Sequence, residues 1–435
     1  MNNARAGVFV VCLCAVAGLL SGAPVIDRRA AASTPLDVYA DRYLNLVAGL
    51  EALDPASVDF LVDRSNEQTP GARTFASLAE QSRLLAAEVR ATHPGSGEDA
   101  RRAGDLAQHL SALAVRSDQR AGAQVSLADE MDRLFAIDLS DVSERAHHDD
   151  GVRQELARLL PGAGALSHRL SEYQRRFVVP RGRLHAVLTR SIAVCRSQTA
   201  RFLTLPDGEE LAVEYVADRP WSGYSVYRGN MKSVMQVNRS MPLSVGQALN
   251  LACHEGYPGH HTYNILREQH VARGRNRPEA RALLIFSPDG FYAEALAAAA
   301  ASMVFSADER TRLFREDLFP LAGIDPSEAE TYAEVCDLID RLTGATTLAV
   351  KRYLSGELSN AEAAAALERD ALMEHPEGLL AYVDRYRGYA LAYTWGRDRL
   401  LSTLTEPAPG DREHWQRLQQ LMTSPERQAG LFATR

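Results

Sequence analysis

The stretch His254-Glu255-Gly256-Tyr257-Pro258-Gly259-His260-His261 constrains the fold more than any other part of the chain. Three of the twelve histidines fall within these eight residues, beside a carboxylate. The run from Ser244 has a helical pattern, so His254 and Glu255 are expected on a helix. Pro258 cannot continue a regular helix, and Gly259 tolerates unusual dihedrals. The helix must therefore break inside the cluster. On an unbroken helix, six residues turn His260 about 240° away from His254, and seven residues lift His261 about 10 Å along the axis. Neither pair would then share a face at ligand distance. If Tyr257 and Pro258 are looped out, the rest reads His-Glu-Gly-Gly-His. That is the spacing that puts two metal-binding histidines on one face, with Glu as general base. The expected roles are His254 and His260 as ligands and Glu255 as base. His261 is the runner-up ligand, or a group facing the substrate or supporting the ligands.

A catalytic zinc held by such a motif takes a third protein ligand and leaves one position for water. Glu294 is the candidate. It lies 34 residues after His260 in Phe291-Tyr292-Ala293-Glu294-Ala295-Leu296-Ala297. A carboxylate among alanines on a buried helix needs a partner, because burying a charge alone is costly. Asp289 is the alternative ligand, although ahead of Gly290 it also reads as a helix cap.

Around this motif the chain is mostly helical in pattern. From about Pro35 to Ala200, apolar residues recur at three- and four-residue steps, as in Tyr43, Leu46, Val47 and Leu50. Between Phe202 and Asn238 the pattern changes to short β-branched and aromatic runs: Phe202–Leu205, Leu211–Val216, Gly223–Tyr227 and Val234–Asn238. Helical pattern resumes at Ser244 and continues to the end. The expected fold is mainly α, with a small sheet at about 202–238 beside the active-site helix. A sheet edge there can hold an extended peptide by main-chain hydrogen bonds. The expected regions are an N-terminal segment 1–23, a helical region 35–200 and a catalytic region 201–435, the last two packed as one unit.

The 435 residues carry a net charge of −8, with no basic stripe, which argues against nucleic acid as a partner. Arg5, the apolar run Gly7–Leu20 and the small residues Ser21-Gly22-Ala23 follow the order of a secretory signal. Export to the periplasm or medium is expected, with cleavage of the segment or its retention as an anchor both open; without a working signal the protein would be cytoplasmic. The run is too short for a comfortable transmembrane span. Cys195, Cys253 and Cys336 lie beyond it, form no CxxC pair and read as buried small apolar residues.

At the histidine cluster the chain resembles a bacterial family known as domain of unknown function 885. Its hallmark is His-Glu-x-x-Pro-Gly-His-His followed by a Glu-Gly helix. The first part stands intact at His254–His261, and the second as Glu294-Ala295, with Ala where the family has Gly. Phe319–Gly323, Tyr353–Gly356 and Tyr386–Gly396 look like later landmarks, so the resemblance covers roughly residues 40 to 430. That family is similar to gluzincin-type helical zinc metallopeptidases, which have two His ligands, one Glu ligand and a catalytic Glu. The resemblance implies a zincin-like architecture and cleavage of peptides.

Tyr386, Tyr389 and Tyr393 have helical spacing that would put them on one face. In helical zinc peptidases a late tyrosine often stabilises the oxyanion, which makes Tyr393 and Tyr389 the choices here. Arg387 could grip a substrate carboxylate. The combined expectation is a hydrolase with one Zn2+ that acts on a peptide or peptide-like amide through an activated water. Two alternatives remain: a hydrolase of non-peptide amides, esters or lactams, and a secreted metal-binding protein without turnover. The sequence leaves oligomeric state open.

Overall fold

In the N-terminal part, α1 (Pro35–Leu53), α2 (Phe75–Ala91) and α3 (Glu98–Arg120) form a helical layer with its own apolar cluster. Tyr43, Val47, Leu50, Leu78, Leu85, Leu106 and Leu110 lie within it. The structure, a computed structural model, describes residues 35–63, 73–92, 97–142, 150–219, 221–404 and 412–432. The signal-like segment 1–23 lies outside them. The next helices are α4 (Leu127–Phe135), α5 (Asp150–Leu159), α6 (Leu166–Arg175) and α7 (Leu184–Ala200).

The region expected to be wholly helical also contains a strand, β1 (Val58–Leu61), paired antiparallel with Ala282–Leu284. Four residues are too few for periodicity to reveal a strand. The pairing matters for position, because it stitches the N-terminal layer to the chain just ahead of the helix that carries Glu294. Residues 35–435 form one unit.

The expected small sheet is present with three strands, β2 (Glu210–Val216), β3 (Gly223–Gly229) and β4 (Lys232–Asn238), in the order β2-β4-β3. β2 runs parallel to β4, and β3 antiparallel to it. Phe202–Leu205, expected as a further strand, is not one: Phe202 stacks on Trp415 at 5.1 Å and Leu203 is buried. Its apolar run serves packing. In this sheet β3 is an edge. The Asn238 N–H donates to Ser222 O at 2.8 Å. In an antiparallel ladder, alternate residues pair, so Gly223 and Ser225 turn their main-chain groups away from β4.

Next come α8 (Val245–Glu255), α9 (His260–Leu266), β5 (Ala282–Leu284) and α10 (Pro288–Val304). Ser244 caps α8 reciprocally with Gln247. A disulfide joins Cys253 of α8 to Cys195 of α7. The two cysteines are buried as expected, but they are bonded rather than merely packed; a separation of 58 residues carries no pairing signal. α10 is apolar on nearly every side, as a helix at the centre of a core must be, and Phe291, Tyr292, Leu296 and Met303 are fully buried. Ser287 caps it, with Pro288 in its first turn. The remaining helices, from Ala307–Leu313 to Pro425–Phe432, complete the C-terminal region. No single helix among the described residues is long and apolar enough to cross a membrane.

Candidate metal centre

α8 stops at Glu255, and Gly256 leaves helical geometry with φ −107° and ψ −97°. Tyr257-Pro258 is a cis peptide. Gly259 then returns the chain against α8, and its N–H donates to Cys253 O at 3.0 Å. A Cβ on Gly259 would lie 1.9 Å from His254 O, so no other residue fits this close approach. The Tyr263 N–H donates to Gly259 O at 2.9 Å, and α9 begins at His260. The break thus spans Gly256 to Gly259 instead of only two looped-out residues. Tyr257 is buried, and its hydroxyl donates to Glu209 at 2.5 Å. The outcome for the histidines is the one the sequence required: the His254 and His260 rings meet edge to face, with centroids 4.9 Å apart.

Glu294 reaches both rings from α10. Its Oε1 lies 3.1 Å from His254 Nε2, and its Oε2 lies 3.6 Å from His260 Nε2. Tyr389 donates to Oε2 at 2.7 Å. Oε1 is buried with the His254 imidazole as its close neighbour, and a buried carboxylate is costly unless a group beside it supplies positive charge. A tetrahedral ion with bonds of about 2.0–2.1 Å would hold its ligand atoms roughly 3.3 Å apart. The two observed distances, one to each oxygen of the carboxylate, lie on either side of that value, so the three side chains could hold a metal ion.

Glu255 stands beside them. His254, Glu255 and His260 each offer an atom within 4.8 Å of the others, and this group could also hold an ion. By that measure Glu255 is a ligand candidate too. Glu294 fits better, because Glu255 approaches His254 Nε2 only to 3.9 Å and already accepts the main-chain N–H of Ser225 on β3. Burial holds the Glu255 carboxyl above the usual range, against the opposing charges of His254 and His260. Burial alone would lower His260, but the bond to Glu294 and the nearby Glu294, Glu255 and Asp59 charges raise it to about 9. Three carboxylates around two imidazoles favour a cation.

Asp59 is a member of this surround that sequence reasoning missed. It sits on β1, accepts the Tyr224 hydroxyl at 3.0 Å and is pushed up to about 6 by burial. A lone Asp in a four-residue strand, about 200 positions before the ligands, carries no signal.

Other expected residues are placed elsewhere. His261 is fully buried and faces away, its Nδ1 2.7 Å from Ser233 Oγ and its Nε2 2.9 Å from Glu209. It supports α9 and is not a ligand. Asp289, the alternative ligand, is instead paired with Arg267 at 2.6 Å and His109 at 3.2 Å. Arg387 is also corrected: it binds the buried Glu130 at 2.6 Å and Val125 O at 3.2 Å, and grips nothing in the cavity. The three tyrosines do not share one helix face, because helix Glu377–Tyr386 ends there and Arg387 has φ +49°. The tighter turns that follow aim Tyr389 at Glu294 and stack Tyr393 over His254, 6.0 Å between centroids.

His254, Glu255 and Tyr393 lie in the wall of a cavity of about 740 Å³, which continues between α8 and α10 and past Trp221–Gly223. The centre is therefore reachable by a ligand larger than water.

No family model matches the chain. No curated protein matches it. Among solved structures it is similar to "the putative lipoprotein from Colwellia psychrerythraea", with a TM-score of 0.51 and 15% identity over 91% of this chain and 72% of that one. A "putative lipoprotein of unknown function from Shewanella oneidensis" gives a TM-score of 0.46 and 14% identity over 91% and 77%. The first likeness establishes a shared fold only.

Proposed function

We propose that this chain is a zinc-dependent hydrolase of peptide or peptide-like amide bonds, with a zincin-like arrangement of its ligands. One observation supports the reading above the others: two imidazole nitrogens from a broken helix converge on one buried carboxylate, His254 Nε2 lying 3.1 Å from its Oε1 and His260 Nε2 3.6 Å from its Oε2. His254, His260 and Glu294 would hold the ion. Two nitrogens and one carboxylate suit zinc, and the set leaves a fourth position free. When bound, zinc supplies Lewis-acid polarisation of the scissile carbonyl and activation of a water.

The chain's own groups do the rest. Glu255 takes a proton from the attacking water and delivers it to the leaving nitrogen. Its raised pKa suits that exchange, and the Ser225 N–H fixes its direction. Tyr393, exposed on the cavity wall above His254, is the donor for the carbonyl oxygen as charge develops. Gly223 offers free main-chain groups on the β3 edge, where an extended substrate can add as a strand. Tyr389 holds Glu294. The motif's resemblance to domain of unknown function 885 supports the same chemistry. Export is supported by the signal-like N-terminus, by the disulfide and by the lipoprotein descriptions of the structural neighbours.

The test is to strip the protein of metal, add one equivalent of zinc and assay a peptide panel beside small amides, esters and lactams. Chelator-sensitive peptide cleavage is expected. Turnover of the small compounds alone would overturn the peptidase reading. Zinc binding with no turnover of either set would leave a metal-binding protein.

A further inference from the structure

The metal centre occupies one part of the cavity, and nothing in the proposed chemistry uses the arginines that line it elsewhere. The cavity's length can be read from its walls. On α8, His254, Leu251, Asn250 and Gln247 line it, a span of seven residues or about 10 Å. On α10 the lining runs from beside Glu294 through Ala297, Ala298 and Ala301 to Ser302, about 12 Å from Glu294 itself. These small side chains leave room for a chain lying along the helix. Arg310 follows the C-terminal end of α10 on helix Ala307–Leu313, and Arg397 comes from helix Trp395–Leu404. Both face the cavity, with side chains only 14% and 13% exposed.

Their partners are arranged so that donors remain. Arg310 pairs through its Nη2 with Asp337, while its Nε is buried and has no hydrogen-bond acceptor. Arg397 donates to Asp340 at 3.0 Å and Thr343 Oγ1 at 3.3 Å. Asp337 and Asp340 are 42% and 48% exposed. They anchor the guanidinium groups, and Asp398 Oδ1 lies 3.8 Å from Arg397 Nη1. A guanidinium has five N–H donors in a planar fork, and a buried one lacking an acceptor is costly. A carboxylate is the acceptor that matches such forks.

We propose that Arg310 and Arg397 form a receptor for the free C-terminal carboxylate of a peptide, so that the enzyme releases dipeptides or tripeptides from carboxyl termini. An extended chain advances about 3.3–3.5 Å per residue. A carboxylate about 10 Å from the scissile bond therefore belongs to the second or third residue beyond it. Asp340 also lines the cavity, but Arg397 already neutralises it, so an ammonium is the weaker fit. This inference deepens the peptidase reading and rests on it for the cleavage step.

The test separates binding from chemistry. Calorimetry on the metal-free protein would compare Ala-Ala-Ala, its C-terminal amide and its N-acetyl form. The amide is expected to bind about tenfold more weakly or worse, and the N-acetyl form about as well as the parent, as loss of a charge-assisted contact implies. The zinc-loaded protein, given a pentapeptide and its amide, is expected to release a C-terminal di- or tripeptide from the acid form and to show a KM about tenfold or more higher for the amide. Arg310→Gln and Arg397→Gln should each erase the acid–amide difference while circular dichroism stays unchanged. The amidated ligand poses the same question to the unaltered protein if a variant misfolds. Equal binding of acid and amide overturns the receptor, as does a loss of binding on N-acetylation. Discrimination in binding without any cleavage upholds the receptor and overturns the peptidase reading.

Discussion

α10 buries two carboxylates five residues apart, Asp289 and Glu294, and they have opposite surroundings. Asp289 is answered on the spot. Burial would raise it, but Arg267 at 2.6 Å and His109 at 3.2 Å hold it well below the usual range. Glu294 accepts one neutral hydroxyl, from Tyr389, and otherwise faces two imidazole nitrogens, one beside each of its oxygens. The same residue chemistry on the same helix thus serves two ends. A buried charge with a dedicated counter-ion holds elements together. A buried charge that faces two imidazoles could hold a cation with them. The difference also explains why Asp289 failed as a metal candidate: its negative charge is already spoken for.

Three substitutions sharpen that contrast on the Glu294 side. Glu294→Ala should have the largest effect. Zinc content measured by atomic absorption should fall from one per chain to near zero, and activity with it, a loss greater than the 10–100-fold typical of residues that only support a ligand. Retention of one zinc at full affinity would remove Glu294 from the shell and leave Glu255 as the third ligand. Glu255→Gln comes next: it should keep the metal while kcat falls by about 10²–10⁴, the usual contribution of a positioned acid–base group. Unaltered kcat with full zinc occupancy would exclude Glu255 as the base. Tyr389→Phe should act more gently. It removes the hydroxyl that orients Glu294, so zinc affinity in a competition titration should drop about 10–100-fold, with kcat at saturating zinc nearly unchanged. A reversed pattern, with affinity intact and kcat lost, would recast Tyr389 as a substrate-facing donor.

The meeting of His254 and His260 was legible where one local constraint forced it. Pro258 and Gly259 cannot sit in a continuous helix, so the sequence itself requires the break that brings His254 and His260 together. Glu294 was legible because a charge among alanines demands a partner. The illegible parts depend on pairings between distant segments. Cys195 and Cys253 are joined only because α7 and α8 lie side by side. Asp59 reaches the centre only because β1 pairs with β5, more than 200 residues later. Arg387 looked like a substrate clamp because its buried partner, Glu130, lies 257 positions away. The late tyrosines were placed on one face by spacing, whereas a left-handed residue at Arg387 redirected Tyr389 and Tyr393 to separate tasks.

The Asp289 side of the comparison predicts the smallest effect on the metal and a large one on stability. Asp289→Asn should leave zinc content and kcat as they are, because none of its contacts reaches the ligands. Arg267, only 5% exposed, would lose its counter-ion, and an unpaired buried charge typically costs about 3–5 kcal/mol. The pH dependence has a definite sign. The native pKa of Asp289 is depressed below an unfolded value of about 3.9. Its stabilising contribution is therefore complete above that value and is lost as pH falls toward the native one. Urea unfolding at a series of pH values should show a wide gap between wild type and Asp289→Asn from about pH 5 to 7, closing steadily in acid below about pH 4. A gap that stays constant into strong acid would mean that the carboxylate's charge is not what holds Arg267. A loss of zinc in this variant would show the two carboxylates to be coupled along α10, and would break the division of labour between them.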